Sequence, residues 1–438
     1  MSQGDTTLPG SVPLEAVPAD ASAEPPCATR LQIFMVGLLS FIIMVIDGYD
    51  IGAMPVVVPH LAPLWGEEPA IFGPALSAVV IGLGIGAFFL APLGDRLGRR
   101  TTTVAALGVI SFATLGTSWS ETVSQLFWWR LLTGTALGAC LPNVLAILAQ
   151  IMPTARRASA MTIVGCGIPV GAAGAGVVVP WLTTGRGWEA AFVFPAIFMF
   201  AMTVILGIYL SRLPMPEAIA KPPRERRWHW TDIPVLAPLG KPYLLRTALF
   251  SALFCFNALS MYMLASWLPT VLRGVGFSFE TSALMASIVQ IGGLVGGLIL
   301  ATQIDRHRTI MALLTGYALV CLGLLALTVL VPTFYVWGAM MLLIGMGVGG
   351  AHIALTAVAA SIYPIAMLSA GIGLAVTVAR IGAMAGPLVG AALIGAEASA
   401  ATFFLALLVP VGCCILCVLA FAKARIGTAP AVQEDAAG

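Results

Sequence analysis

The sequence predicts an all-α polytopic membrane protein: twelve spanning helices arranged as two pseudo-symmetric six-helix bundles. Three observations predict it. The 438 residues are 59% hydrophobic and only 9% charged, against about 25% charged in soluble domains. The apolar residues fall into runs of roughly 18 or more, the length that crosses a hydrocarbon core. One polar segment divides those runs six and six, and a short charged motif recurs in each half. This composition excludes a soluble enzyme.

Residues 1–30 are rich in Pro and Ala, carry Asp5, Glu15, Asp20 and Glu24 before the first base, and read as a disordered cytoplasmic tail. The spans are expected near 31–53, 72–93, 101–119, 123–150, 157–180 and 189–211, which form an N-terminal bundle over 31–211. Residues 212–244 form an interdomain linker. Its Lys221, Arg224, Arg226, Arg227 and Lys241, with Trp228 and Trp230, suit either a strap at the lipid headgroups or a solvated connection. A second bundle over 245–423 holds spans near 245–270, 282–303, 309–330, 333–360, 367–393 and 399–422. Residues 424–438 form a second cytoplasmic tail.

Orientation follows from the bases. With the N-terminus inside, 17 of the 21 Lys and Arg fall in inner segments, and only Arg186 and Arg273 in outer loops. The excess of bases on one side places both termini in the cytoplasm. The eight cysteines show no paired metal-ligand spacing, so they read as free thiols packed as small hydrophobes, with no metal site and no disulfide.

A short list of residues carries the chemistry. Asp47 and Asp50 stand three apart in an apolar run and share one helix face. A carboxylate at that depth costs several kcal/mol, and membrane helices keep such groups where they bind a proton, an ion or a partner. Arg130, in the fourth span, can neutralise one of these acids and leave the other to titrate. The alternative is a static pair joining the first and fourth spans. Arg380, in the eleventh span, offers bidentate bonds to a carboxylate, or an interhelix bond to carbonyls. His352, in the tenth, can relay a proton, bond a phenolic hydroxyl or simply pack. Asn257, Tyr262, Trp267 and Gln290 are candidates for polar and stacking contacts. The turn Asp95-Arg96-Leu97-Gly98-Arg99-Arg100 between spans two and three is echoed by Asp305-Arg306 between spans eight and nine. It reads as a conformational latch whose polar contacts form on one side of the membrane and break when the halves rock.

Together these residues resemble the major facilitator superfamily, and more narrowly its aromatic acid:proton symporters. The most specific piece is Asp47-Gly48-Tyr49-Asp50. The loop from Asp95 to Arg100, Arg130 to Gly134 followed by Leu141-Pro142-Asn143, Ser266 to Thr270, Tyr363-Pro364 and Arg380 to Pro387 add to it. The chain departs at Ala91, where the loop motif usually opens with glycine, and at Leu374 and Ala379 before the arginine of the eleventh span. The resemblance implies a cavity lined by spans one, four, seven and ten. It links Asp47, Asp50, Asp95 and Arg99 to transport.

The expected function is proton-coupled uptake of an aromatic carboxylate by alternating access across the bacterial inner membrane. The expected protein is a monomer without cofactor or nucleic-acid partner. Two alternatives stand beside it. A proton antiporter exporting drugs or metabolites would carry a Gly-Pro signature in the fifth span, which here reads Gly165-Cys-Gly167-Ile-Pro169-Val-Gly171 with different spacing. A membrane sensor of aromatic acids would need a signalling domain that the sequence does not offer.

Overall fold

A computed structural model describes residues 29–152, 154–212, 238–240 and 243–423. The expected tails over 1–28 and 424–438, and most of the expected linker, lie outside the described residues. Among the described residues every regular element is helical, and twelve helices are long and apolar enough to cross a membrane.

The α-helices are α1 (Arg30–Trp65), α2 (Gly73–Ile85), α3 (Leu93–Leu97), α4 (Arg99–Ser118), α5 (Val123–Ile151), α6 (Thr154–Gly165), α7 (Gly167–Thr183) and α8 (Ala190–Ser211). They continue as α9 (Leu244–Val275), α10 (Phe279–Asp305), α11 (Thr309–Val329), α12 (Phe334–Ile362), α13 (Ile365–Gly395) and α14 (Ala400–Lys423). Local chemistry starts several of them. Thr29 and Gln32 cap α1 reciprocally, and Thr122 and Ser278 cap α5 and α10 through their hydroxyls.

Three spans depart from expectation, each for a physical reason. The first does not stop near Ala53. It runs 36 residues through Pro55, Pro59 and Pro63, about 54 Å at 1.5 Å per residue. These prolines lie four apart, on nearly one face. Each removes one N–H, but Val56, Val57, Val58, Leu61 and Ala62 are buried among them, and that packing carries the helix on. The second span widens into a π-turn over Gly86–Leu90 and ends before the short α3. The fifth breaks at Cys166 into α6 and α7. Pro169 has no N–H for the carbonyl of Gly165, so the ladder parts there.

Within the first half α1 packs on α7, and α5 on α2 and α4. Within the second, α10 packs on α12 and α9 on α13. The α1–α7 crossing is very close. A Cβ on Gly48 would fall on the carbonyl of Ile168, and one on Gly171 on the carbonyl of Val45. Glycine between the two aspartates is therefore a packing requirement.

The two halves do not meet evenly. At the end away from the basic loops, Ala53 to Ala62 of α1, Phe72, Ala75, Val179 and Phe192 belong to one apolar core with the second half. Toward the basic loops, Val36 to Ile46, Val144, Ile147, Leu206 and Leu210 form a separate core within the first half. The halves are thus joined at one end and parted at the other.

Candidate functional site

The acid pair of α1 resolves into two different environments. Asp50 is 3% exposed and forms a buried ion pair with Arg130 of α5, at 2.7 Å from Nη1 to Oδ2. The second guanidinium nitrogen donates to the backbone carbonyl of Asp50 at 2.9 Å. The Thr114 hydroxyl of α4 donates to Oδ1 at 3.3 Å. Arg130 also lies 5.9 Å from the Phe192 ring centroid of α8. Asp47, one helical turn away and 1% exposed, has neither carboxylate oxygen hydrogen-bonded among the described residues. It sits within electrostatic reach of Asp50 and the Cys140 thiol. Tyr49, between them, points elsewhere and donates to the Ala191 carbonyl at 3.0 Å.

A separate cavity of about 460 Å³ opens between the halves. Thr162, Gly165, Cys166 and Pro169 line it from α6 and α7; Phe254, Ala258 and Tyr262 from α9; His352, Ile353 and Thr356 from α12; Val376, Ala379, Arg380 and Ala383 from α13. Beside the seventh and tenth spans, the broken fifth span and the eleventh line this cavity, and no residue of the first or fourth is among its lining residues. The size suits a small ring compound. Arg380 is half-buried and pairs with no described acid, and the lining contains no carboxylate.

Asn257 lies one layer behind this wall. It is fully buried, accepts from the Tyr317 hydroxyl at 3.1 Å and contacts Nδ1 of His352 at 3.3 Å. Of the polar candidates, His352, Arg380 and Tyr262 line the cavity, while Asn257 reaches it through His352. Gln290 does not line it. Nor does Trp267, whose fully buried indole N–H donates to the Pro387 carbonyl at 2.8 Å and whose ring lies against Gly390. It ties α9 to α13 at the joined end. Nearby, the Ser77 hydroxyl of α2 donates to the Met384 carbonyl at 3.0 Å across the halves, and His60 of α1 meets Phe279 of α10 at 5.7 Å.

Sequence reasoning missed Phe254, Thr162 and Cys166 as lining residues, and Thr114, Phe192 and Tyr317 as partners. Tyr317 carried a signal, a phenol inside an apolar span, because a buried hydroxyl there needs a partner. The others are ordinary membrane-helix residues whose place depends on helix rotation.

The loop motif folds as α3 and a tight turn at Gly98, whose φ of 94° favours glycine. Asp95 and Arg99 pair within the motif at 3.1 Å, with Asp95 71% exposed. Asn143 of α5 donates to the Ala91 carbonyl at 3.2 Å and anchors the loop. In the second half His307 takes the turn with φ 59°, and Asp305 and Arg306 are exposed. Neither Asp95 nor Asp305 pairs across the halves among the described residues.

Comparison with known proteins agrees with this architecture. The Major Facilitator Superfamily profile matches residues 39–387. A gallate transporter of Pseudomonas putida is 30% identical, over 91% of this chain and 94% of its own. The 4-hydroxybenzoate transporter PcaK of the same organism is 28% identical over 85% and 89%. Among solved structures, an inward-facing, unoccupied bacterial homologue of the human lysosomal transporter Spinster superposes with TM-score 0.72 at 17% identity. That alignment covers 90% of this chain and 99% of the other. With twelve long apolar helices among the described residues, the chain is a multi-pass protein of the bacterial inner membrane. It belongs to the Major Facilitator Superfamily of membrane transporters.

Proposed function

We propose that this protein takes up an aromatic carboxylate together with protons by alternating access. One observation carries the substrate class: the cavity between the halves holds the cation Arg380 and no acid, beside the rings of Phe254 and Tyr262. A guanidinium pairs with a carboxylate through two parallel bonds, and the rings receive an aromatic face. The relatives named for gallate and 4-hydroxybenzoate transport support the same class.

Proton coupling rests on Asp47. A buried carboxylate without a partner bears a charge only at a cost of several kcal/mol, and a bound proton removes that cost. Asp50 is already neutralised by Arg130, so Asp47 is the acid free to load and unload. Its charge acts on the adjacent pair, which ties α1 to α5, and so on the packing of α1. The excess of bases at the parted end makes that end cytoplasmic, and the conformation is then inward-facing. The exposed Asp95 and Asp305 motifs are the contacts remade when that end closes.

The test is uptake into proteoliposomes with an acidic exterior, using labelled gallate, 4-hydroxybenzoate, benzoate and protocatechuate, with protein-free vesicles as control. Accumulation that collapses with a protonophore is expected. Efflux alone under the opposite gradient, or binding without flux, would overturn the reading in favour of an exporter or a sensor.

A further inference from the structure

We infer that Asn257 is a positioning residue: it holds His352 neutral with its proton on Nε2, so that the ring presents a hydrogen-bond donor to a substrate oxygen in the cavity of Arg380. The substrate part of this inference rests on the acid-binding reading above; the tautomer does not.

Donors and acceptors around the carboxamide fix the tautomer. The Asn257 carboxamide touches three groups. Its Oδ1 accepts from the Tyr317 hydroxyl at 3.1 Å, and its Nδ2 lies 3.4 Å from the Val348 carbonyl and 3.3 Å from His352 Nδ1. A carbonyl only accepts, so the amide NH2 must face Val348. Turning the amide over would set two oxygens against each other. The second N–H of that NH2 then points at His352 Nδ1, which must offer a lone pair. The ring's proton therefore sits on Nε2, at the edge away from Asn257, and His352 lines the cavity.

A doubly protonated ring does not fit. It would bring N–H against N–H at Asn257, in a cavity whose lining holds Arg380 and no carboxylate. The surroundings give little room to adjust. Asn257 and Tyr317 are both fully buried, and the Phe254 ring packs tilted at 63° to His352, 5.1 Å between centroids.

The consequence is a division of labour. His352 is a donor and carries no proton across the membrane, so coupling stays with the acids of α1. Arg380 supplies charge, and His352 supplies one directed N–H. The pair selects an anion with a further acceptor site in reach, either a remaining lone pair of a carboxylate oxygen or a ring hydroxyl.

The test is nitrogen NMR on the full-length protein in lipid nanodiscs with 15N-histidine, the His352 signals being assigned by their loss in His352→Gln. The expected wild-type spectrum shows an unprotonated Nδ1 and a protonated Nε2 between about pH 5 and 8, where an ordinary histidine titrates. In Asn257→Asp a carboxylate faces Nδ1, and a doubly protonated ring is expected. A protonated Nδ1 or a titrating ring in the wild type would overturn the proposal. Uptake supplies the second readout. The glutamine amide can replace an Nε2–H donor and cannot relay a proton. His352→Gln should therefore keep its Michaelis constant for 4-hydroxybenzoate within about threefold, and His352→Leu should raise it about tenfold, the worth of one hydrogen bond. Equal loss in both variants would also overturn it. Absence of any aromatic-acid uptake by the wild type would instead remove the substrate reading, and the spectra would still decide the tautomer.

Discussion

Asp47→Asn and Asp50→Asn are nearly the same chemical change, three residues apart, yet they should behave differently. Asparagine at 47 removes a carboxylate that bonds to no described residue, so no partner is orphaned. The expected cost to stability is under about 1 kcal/mol, as for a substitution that breaks no named contact. Asparagine at 50 strips Arg130 of the 2.7 Å ion pair and leaves a guanidinium whose Nε already lacks a partner. Breaking one side of a buried pair costs about 3–5 kcal/mol. Arg130→Gln should cost a similar amount, and Asp50→Asn with Arg130→Gln much less than the sum, since contacting residues are non-additive. The assay is unfolding of the purified protein titrated with a denaturing detergent, for the four members of the Asp50–Arg130 cycle and for Asp47→Asn. Transport completes the test. Asp47→Asn should lose gradient-driven accumulation while retaining exchange of labelled for unlabelled acid, because it mimics the proton-loaded state. Asp47→Asn as destabilised as Asp50→Asn, or full accumulation by Asp47→Asn, would refute the assignment of pair and proton carrier.

Other expectations can be checked with the same preparations. Arg380→Ala should raise the Michaelis constant for aromatic acids about 10- to 100-fold, the worth of a charged hydrogen bond; an unchanged value would remove the anion site. Gly48→Ala should lower stability by about 1–3 kcal/mol or more and stop transport, because its Cβ would meet the Ile168 backbone and not a yielding side chain. Asp95→Asn should leave stability within about 0.5 kcal/mol, since an exposed i,i+4 pair contributes little, while transport slows at least tenfold. A wild-type rate in that variant would remove the latch.

Features that depend on a single segment were legible in the amino acids alone. Apolar run length identified the spanning helices, because a helix in lipid must satisfy its own backbone and cover itself with apolar side chains. The ionisable residues inside those runs were visible for the same reason: charge in lipid is costly enough to mark a site. The turn at Gly98 was legible too, because only local backbone conformation is at stake there. Tertiary structure decided the pairing and the facing of these groups. It matched Arg130 to Asp50 and left Asp47 alone, although the sequence offers both acids on one face. It carried α1 through three prolines, which local chemistry reads as a stop, because burial of the valines of α1 that lie among them outweighs the lost bonds. It put Trp267 at the joined end, and it set Asn257 behind His352. Each of these depends on how one helix is rotated and tilted against another. That geometry comes from packing across residues far apart in the chain, and no window of the sequence contains it.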